Sequence, residues 1–179
     1  PGMMDSVLNI GLNDSNVFQL AEAFNDERFA LDSYRRLIQM YSNVVLGVEH
    51  ERFEAVLANK KRMDNVVSDA DFNVDQLNWI INAYKNTVER FTDSLFPQEP
   101  YEQLTGAIEA VFNSWQNKRA ATYRKINNIP DSWGTGATIQ TMVFGNLNDK
   151  SGTGVAFTRN PSNGDKELYG ECLINAQGE

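Results

Sequence analysis

Apolar residues recur at helical spacing through roughly the first 130 residues of the chain. The clearest helix is predicted between Phe29 and Leu46, where apolar side chains at i, i+3, i+4 and i+7 form one continuous stripe. The same spacing predicts a short helix ending at Phe24, helices over 51–59, 74–91 and 115–127, another beginning at Pro100, and a charged loop over 60–72. The first two-thirds of the chain are therefore predicted to be largely helical.

Two of these helices carry signals at their first residues. Asn73 is predicted to cap the helix that follows it, and Gln76, three residues further on, can complete a capping box. Pro100 suits a first helical turn because its missing N–H would have no partner there. The helix that begins at Pro100 presents an apolar stripe of Leu104, Ile108, Val111 and Phe112. The predicted helix over 115–127, which follows it, presents Tyr123 and Ile126.

After about residue 130 the apolar residues alternate along the chain, as they do in strands. Three strand-like runs follow, and the segments between them are rich in Gly, Asn, Asp and Ser, which is typical of hairpin loops. The runs are 138–144, 154–158 and 167–175. The sequence thus predicts an α+β fold, with a mainly helical subdomain over 1–130 and an antiparallel β-meander in a subdomain over 131–179.

Composition narrows the classes of partner and compartment. The chain has 24 acidic and 16 basic residues and a net charge of −8, which argues against a nucleic-acid partner because phosphate backbones would be repelled. No apolar run approaches the roughly 20 residues of a membrane span. Cys172 is the one cysteine, so an internal disulfide cannot form and a reducing, cytoplasmic setting is expected. Its thiol is interpreted as a small buried hydrophobe on an apolar strand, with a reactive thiol as the alternative.

The segment from Ser151 to Gly154 is a candidate for binding phosphate. Its two glycines would let a phosphate approach the backbone amides, and the hydroxyl of Thr153 between them adds a donor. Lys150 and Arg159 flank the segment and could supply positive charge. The spacing is not that of a P-loop, and no helix is predicted to follow directly. An ordinary hairpin turn therefore remains open as the other interpretation.

The strand-like run that begins at Gln140 is a candidate for binding an adenine ring. The ring could lie against Met142 or Phe144, while Gln140 and backbone groups near the strand end hydrogen-bond its edge. A half-buried strand with a polar first residue would explain the same pattern without a ligand.

Several charged residues are candidates for a contact surface. Lys118, Arg119, Arg124 and Lys125 form a basic cluster, which either serves a partner or complements the dipole at a helix C-terminus. Glu171 lies mid-strand, and a carboxylate in that position suggests a partner cation in the core or across an interface.

The remaining chemistry-bearing residues point to no active site. The chain's one histidine, His50, has no second His or Cys nearby, so the sequence offers neither a metal site nor a triad, and a solvated position is expected. The pair Met3-Met4 is interpreted either as a mobile flap over an apolar ligand or as core filler. No catalytic residue and no metal ligand is predicted.

Several blocks of the sequence resemble the pyruvate, phosphate dikinase family, in order and from the first residue to the last. In the helical part they are Pro1 to Asn9, Asp32-Ser33-Tyr34-Arg35-Arg36 and Phe96-Pro97-Gln98. In the strand part they are Gln140 to Asn146, Ser151 to Pro161, Gly170-Glu171 and Leu173 to Glu179.

The resemblance implies part of an ATP-grasp domain that binds ATP and AMP with Mg²⁺. The family transfers the β-phosphoryl group of ATP to a histidine on a separate domain of the same chain, which then serves to phosphorylate pyruvate, and the parent protein is expected to be a homodimer. By resemblance, the strand with Gln140, Met142 and Val143 is the adenine side of the cleft, and Thr153 and Gly154 lie nearest the phosphates. The resemblance also implies a docking face for the phosphohistidine domain, formed by Arg119, Ser162 and Glu171.

Three departures from the family pattern are expected to have local effects. Cys172 replaces an aromatic residue, Gly136 replaces a commoner alanine, and Asn163-Gly164-Asp165 replaces Thr-Gly-Glu in a turn. Both ends of the sequence are interpreted as cuts, with phosphate-gripping and metal-binding residues expected beyond them. The isolated chain is therefore expected to be inactive. The alternatives are a non-catalytic helical docking module, a complete small ATP-binding protein, or a domain similar to the ATP-binding domain of phosphoenolpyruvate synthases.

Overall fold

A computed structural model of the chain describes residues 4–178. Within these residues a series of helices is followed by two strands. The helices are α1 (Val17–Phe24), α2 (Glu27–Val44), α3 (His50–Asp64), α4 (Val74–Thr92), α5 (Pro100–Ser114) and α6 (Lys118–Ile126), and the strands are β1 (Gly152–Phe157) and β2 (Tyr169–Ile174). Short 3₁₀ turns occur at Asp69–Asp71 and Asp131–Trp133. The predicted α+β composition is confirmed in this coarse form.

The predicted capping box of α4 is present. The Asn73 side chain accepts a hydrogen bond from the Gln76 backbone N–H at 2.9 Å, and the Gln76 side chain accepts one from the Asn73 N–H at 2.9 Å. Pro100 is the first residue of α5, as predicted. These local signals fixed the helix starts because each satisfies or removes a backbone donor that a helix leaves without a partner.

The predicted loop over 60–72 is wrong in its first five residues, because α3 continues to Asp64. An ion pair one helical turn apart supports this extension, with 2.9 Å between Lys60 Nζ and Asp64 Oδ2. The helix then ends where Asn65 adopts a left-handed conformation. The charged residues 60–64 are therefore helical, because charges in this segment pair along the helix surface.

The core of the helical unit is built around α2, which packs against α1 and α4, while α3 packs on α4. Its largest fully buried side chains are aromatic and include Tyr34, Tyr84, Phe29 and Phe53. The Phe53 and Tyr84 rings meet edge to face with 5.0 Å between centroids. Burial also raises the pKa of the Tyr84 hydroxyl, to about 12. Among residues 4–178, no helix is long and apolar enough to cross a membrane.

The inward face of α5 is not the one that its apolar residues predicted. The positions it buries are Gln103, Ala107 and Ser114. The Phe112 side chain is 48% exposed, and the remaining residues of the predicted stripe are only partly buried. On α6 the buried residues are Ala120 and Arg124, whereas Tyr123 and Ile126 are exposed. The buried Gln103 side chain makes hydrogen bonds to the backbone of Gly11, Leu12 and Pro97, and these bonds outweigh apolar periodicity in setting how α5 is rotated.

The strands form an antiparallel hairpin rather than the predicted three-stranded meander. Gly152 pairs with Ile174, and the register continues to Phe157 opposite Tyr169. The predicted strand over 138–144 is wrong, since no strand among residues 4–178 pairs with it and a strand exists only through its partner. The interpretation of Cys172 as buried is also wrong, because the residue is exposed on β2.

The described residues divide into two compact units, a helical unit up to Ile139 and a hairpin unit from Gln140 onward. The 3₁₀ turn after residue 130 belongs to the helical unit, because Arg124 Nε donates to Asp131 Oδ1 at 2.6 Å and Trp115 Nε1 donates to the Asp131 carbonyl at 3.4 Å. The sequence pattern therefore changes earlier than the packing does. The assignment of 1–130 and 131–179 as subdomains of a larger ATP-grasp fold stays a prediction.

Candidate functional site

The candidate phosphate segment begins at a turn organised by Asn148. The Asn148 side chain accepts from the Lys150 N–H at 2.9 Å, and its carbonyl accepts from the Ser151 N–H at 2.9 Å. The Ser151 carbonyl then accepts from the Asn175 N–H at 2.8 Å, which fixes this turn to the residue after β2. The start of β1 is thus held by backbone and carboxamide hydrogen bonds.

One face of the hairpin carries little side-chain bulk over most of its length. Cross-strand partners in a sheet share a face, so the register places five small residues together. This small-residue face consists of Gly152, Gly154, Ala156, Gly170 and Cys172, and the larger Ile174 lies at its end opposite Gly152. The opposite face carries Thr153, Val155, Phe157, Tyr169, Glu171 and Leu173. The small-residue face leaves the β1 backbone accessible, as close approach of a phosphate requires.

The glycines of this face also have a structural reason. A Cβ built on Gly154 would lie 2.7 Å from the Glu171 carbonyl oxygen, and one on Gly170 would lie 2.6 Å from that of Val155. The two strands therefore approach too closely for alanine at either position. The glycine pattern alone does not separate the phosphate-binding interpretation from the ordinary hairpin interpretation, and another group must do so.

The side chain between Gly152 and Gly154 is that of Thr153, which carries a hydroxyl. Thr153 is half-buried, and within residues 4–178 its Oγ1 makes no hydrogen bond. A Cβ built on Gly178 would lie 2.4 Å from this oxygen, so the segment after β2 passes directly beside it. A half-buried donor without a protein partner is suited to an oxygen of a ligand.

The candidate adenine segment reaches the start of β1 at its carboxyl end. Gly145, directly after the segment, is so close to Gly152 and Ala176 that its Cβ would lie 2.8 Å from the Gly152 carbonyl oxygen and 2.3 Å from that of Ala176. Earlier in the segment the side chain of Met142 is partly buried. Those of Gln140 and Val143 are exposed. The hairpin unit therefore joins the two candidate segments at Gly145 and Gly152.

The three candidate docking residues fall in both units. Arg119 lies in the first turn of α6, where its guanidinium is 3.1 Å from Asp5 Oδ1. Ser162 and Glu171 are exposed in the hairpin unit, the first in the loop between the strands and the second opposite Val155 on β2. Glu171 has no ion-pair partner among the residues that the structure describes, so the cation expected beside it is not within that part of the chain. The common docking face stays a prediction.

The basic cluster of α6 separates into residues with different roles. Arg124 is buried, its guanidinium carbon lies 4.0 Å from the centre of the Trp115 ring, and its Nε donates to Asp131. Lys118 and Lys125 are exposed. Arg124 therefore stabilises the fold. The sequence alone did not predict this role, because nothing in it marked Asp131 as the partner of Arg124. His50 is exposed, as expected, with its Nε2 3.4 Å from Glu54 Oε1.

A cavity of about 200 Å³ lies in the helical unit between the end of α2 and α5. Asp5 and Glu109 line it, with Asn113, Asn117 and Ser114. Two carboxylates make this cavity unsuited to a nucleotide phosphate. Within residues 4–178, no group of three or more His, Cys, Asp or Glu side chains could hold a metal ion. The flap candidate Met3 lies outside the described residues, and Met4 Sδ accepts from the Thr135 hydroxyl at 3.2 Å.

Comparison with known proteins agrees with the blocks found in the sequence. The family profile described as "Pyruvate phosphate dikinase, AMP/ATP-binding domain" matches residues 1–179. The chain is 55% identical over 179 residues to the pyruvate, phosphate dikinase of Rhizobium meliloti (strain 1021) and 53% identical over 180 residues to that of Clostridium symbiosum. It is 52% identical to a chloroplastic pyruvate, phosphate dikinase of Mesembryanthemum crystallinum. All of this chain is matched, against 20%, 21% and 19% of the three relatives.

The described residues form an α+β protein in which a helical unit is followed by a glycine-rich hairpin. The chain belongs to the pyruvate phosphate dikinase AMP/ATP-binding domain family, so the resemblance predicted from the sequence blocks is confirmed. It spans about a fifth of the length of the curated relatives that it matches.

Proposed function

We propose that the full-length gene product is a pyruvate, phosphate dikinase and that these residues are part of its nucleotide-binding domain. The proposed reaction converts ATP, pyruvate and phosphate to AMP, phosphoenolpyruvate and diphosphate through a phosphohistidine on a separate domain. The observation that carries the proposal is the family match over all 179 residues, joined by relatives of that name at 55% and 53% identity.

In this proposal the hairpin unit is one wall of an ATP-grasp nucleotide cleft. Gln140, Met142 and Val143 lie along the adenine, and Thr153 and Gly154 lie beside the phosphates. Two observations on opposite faces of β1 support this assignment: the small-residue face at Gly154, and the Thr153 hydroxyl, which makes no hydrogen bond within residues 4–178. Phosphoryl transfer depends on cations and metal placed around the moving group, so one wall alone is expected to be inactive.

Mg²⁺ is proposed as the accompanying metal, with ligands supplied from outside the described residues. The residues from 4 to 178 hold no suitable carboxylate, histidine or cysteine cluster, and so no catalytic step is assigned to the metal. A cytoplasmic, homodimeric parent protein is also proposed, from the single cysteine and the family.

Replacing Thr153 with valine in the full-length gene product is expected to weaken ATP binding about tenfold. Valine keeps the shape of the side chain but removes the hydroxyl, and a hydrogen bond to a charged group contributes about 1.5–3 kcal/mol. Isothermal titration calorimetry with Mg-ATP measures the change directly. Thr158→Val is the matched control, since Thr158 is exposed just after β1. Equal affinities for the two variants would remove Thr153 from the site.

The proposed docking face receives the phosphohistidine domain through Arg119, Ser162 and Glu171. Arg119→Glu and Glu171→Lys, each in the full-length gene product, are expected to slow phosphoryl transfer to the carrier histidine by at least about tenfold and leave the Kd for ATP unchanged. Reversed charges repel the docking partner, and such juxtapositions cost several kcal/mol at interfaces. Rapid-quench measurement of histidine phosphorylation tests this, with Lys125→Glu on the exposed surface of α6 as the control. Transfer at the wild-type rate in both variants would contradict the docking role.

A further inference from the structure

Three neighbouring segments of the helical unit converge on one acidic residue from the start of the chain. The Asp5 backbone N–H donates to Ser114 Oγ at 3.3 Å, and Asn117 Nδ2 donates to Asp5 Oδ2 at 3.0 Å. Arg119 lies 3.1 Å from the other carboxylate oxygen, Oδ1. Asp5 therefore contacts the last residue of α5, the link between the helices and the first turn of α6.

The anchor for this arrangement is Ser114, which is 2% exposed. Its hydroxyl donates to the Val111 carbonyl at 2.7 Å while accepting from the Asp5 N–H. The position of the Asp5 backbone is thereby set by a buried group, although the Arg119 side chain itself is 60% exposed. A rigid support beneath an exposed, flexible side chain is the arrangement expected of a positioning contact.

The start of α6 lacks the features that usually stabilise a helix N-terminus. Its first turn contains no acidic residue, and Asn117 at the cap position makes no side-chain hydrogen bond to the helix. The Asn117 side chain donates to Asp5 instead, and Asp5 places a carboxylate beside this end of the helix. Negative charge at that end is favourable because of the helix dipole. Asp5 thus contacts both the residue before the first turn of α6 and the arginine within that turn.

We propose that Asp5 is a positioning residue that holds the Arg119 guanidinium in the orientation in which it receives the phosphohistidine domain. The inference rests on the docking role of Arg119 given under the proposed function. An exposed ion pair contributes little to stability, so the effect of Asp5 is on orientation and appears in the rate of phosphoryl transfer.

Asp5→Asn in the full-length gene product tests the inference. The change removes the charge and keeps the size of the side chain. Phosphorylation of the carrier histidine, followed by rapid quench in a single turnover, is expected to slow about fivefold, the upper range for an exposed pair. The Kd for ATP is expected to stay at its wild-type value, and the Tm is expected to fall by no more than about 2–4 °C. Glu109→Gln is the matched control, because the Glu109 carboxylate lines the same cavity as Asp5 but does not bind Arg119.

A double-mutant cycle separates orientation from a general structural effect. In an Arg119→Met background the Asp5→Asn change should alter the rate by less than about 1.5-fold, since residues that act through one another are not additive. If Arg119→Met slows transfer but Asp5→Asn does not, the inference is overturned and the docking role stands. Equal slowing by Asp5→Asn in both backgrounds also overturns it. If Arg119→Met leaves the rate unchanged, the docking role fails, and the inference fails with it.

Discussion

Replacing Asp32 with alanine is expected to lower the free energy of unfolding of this chain by about 3–5 kcal/mol, the cost of removing one partner from a buried ion pair. Asp32 and Arg35 are 4% and 3% exposed, and 2.8 Å separates Arg35 Nη2 from Asp32 Oδ1. The other carboxylate oxygen accepts from Arg36 Nε at 2.9 Å. After the change, the charge of Arg35 stays buried, with Asp69 Oδ2 at 3.5 Å as its remaining acidic partner.

Urea unfolding followed by circular dichroism measures this loss. The matched control is Glu49→Ala, which removes the acidic partner of an exposed pair with 2.9 Å between Arg52 Nη2 and Glu49 Oε2. Because exposed pairs contribute about 0–1 kcal/mol, the control should change little. A loss of less than about 1 kcal/mol for Asp32→Ala would show that water reaches Arg35 and that the pair is not buried in solution.

The same pair predicts how stability depends on pH. Burial opposes ionisation of Asp32, but the charges of Arg35 and Arg36 outweigh it and hold the pKa of the carboxyl below its ordinary value of 3.8. A lowered pKa contributes stability that is complete above the unfolded pKa and is lost as pH falls through the folded-state pKa. Wild-type stability should therefore drop on acidification below about pH 4, and Asp32→Asn should lose less over that range.

This buried pair also explains one of the sequence blocks that carried the family resemblance. The block from Asp32 to Arg36 contributes an ion pair and the buried Tyr34, and the block from Phe96 to Gln98 meets it, since Gln98 Nε2 donates to the Tyr34 hydroxyl at 3.2 Å. These residues are therefore explained by packing. Sequence alone could not separate them from the blocks of the hairpin unit, because a motif does not reveal whether its side chains point into a core or toward a ligand.

The helices were predictable where the signal was local, and less so where the answer depended on a distant partner. The capping box at Asn73 and the proline at the start of α5 needed only their neighbours. The rotation of α5 and the pairing of residues 138–144 needed tertiary contacts, and both predictions were wrong. In the candidate site, the glycines of β1 were visible in the sequence, whereas the contact between Asp5 and Arg119 joins residues 114 positions apart.

Replacing Gln103 with leucine is expected to destabilise the helical unit by about 3–5 kcal/mol, because three backbone groups would lose their partner at about 1–3 kcal/mol each. Gln103 is fully buried, and its Oε1 accepts from the Gly11 N–H at 2.8 Å. Its Nε2 donates to the carbonyls of Leu12 at 3.0 Å and Pro97 at 2.8 Å. One side chain on α5 therefore holds both the segment of Gly11 and Leu12 and the segment that precedes α5 at Pro97.

Leucine matches the volume of glutamine, so loss of these bonds and not a cavity dominates the effect. Urea unfolding gives the free energy, and hydrogen exchange of the Gly11 amide should rise more than that of amides in α4. The control Gln116→Leu alters an exposed glutamine just after α5 and should cost less than about 0.5 kcal/mol. If Gln103→Leu were equally mild, polar contacts would not set the rotation of α5. The outward position of the apolar stripe on α5 would then need another explanation. Leucine at position 103 would itself make the buried face of the helix more apolar and so favour its burial.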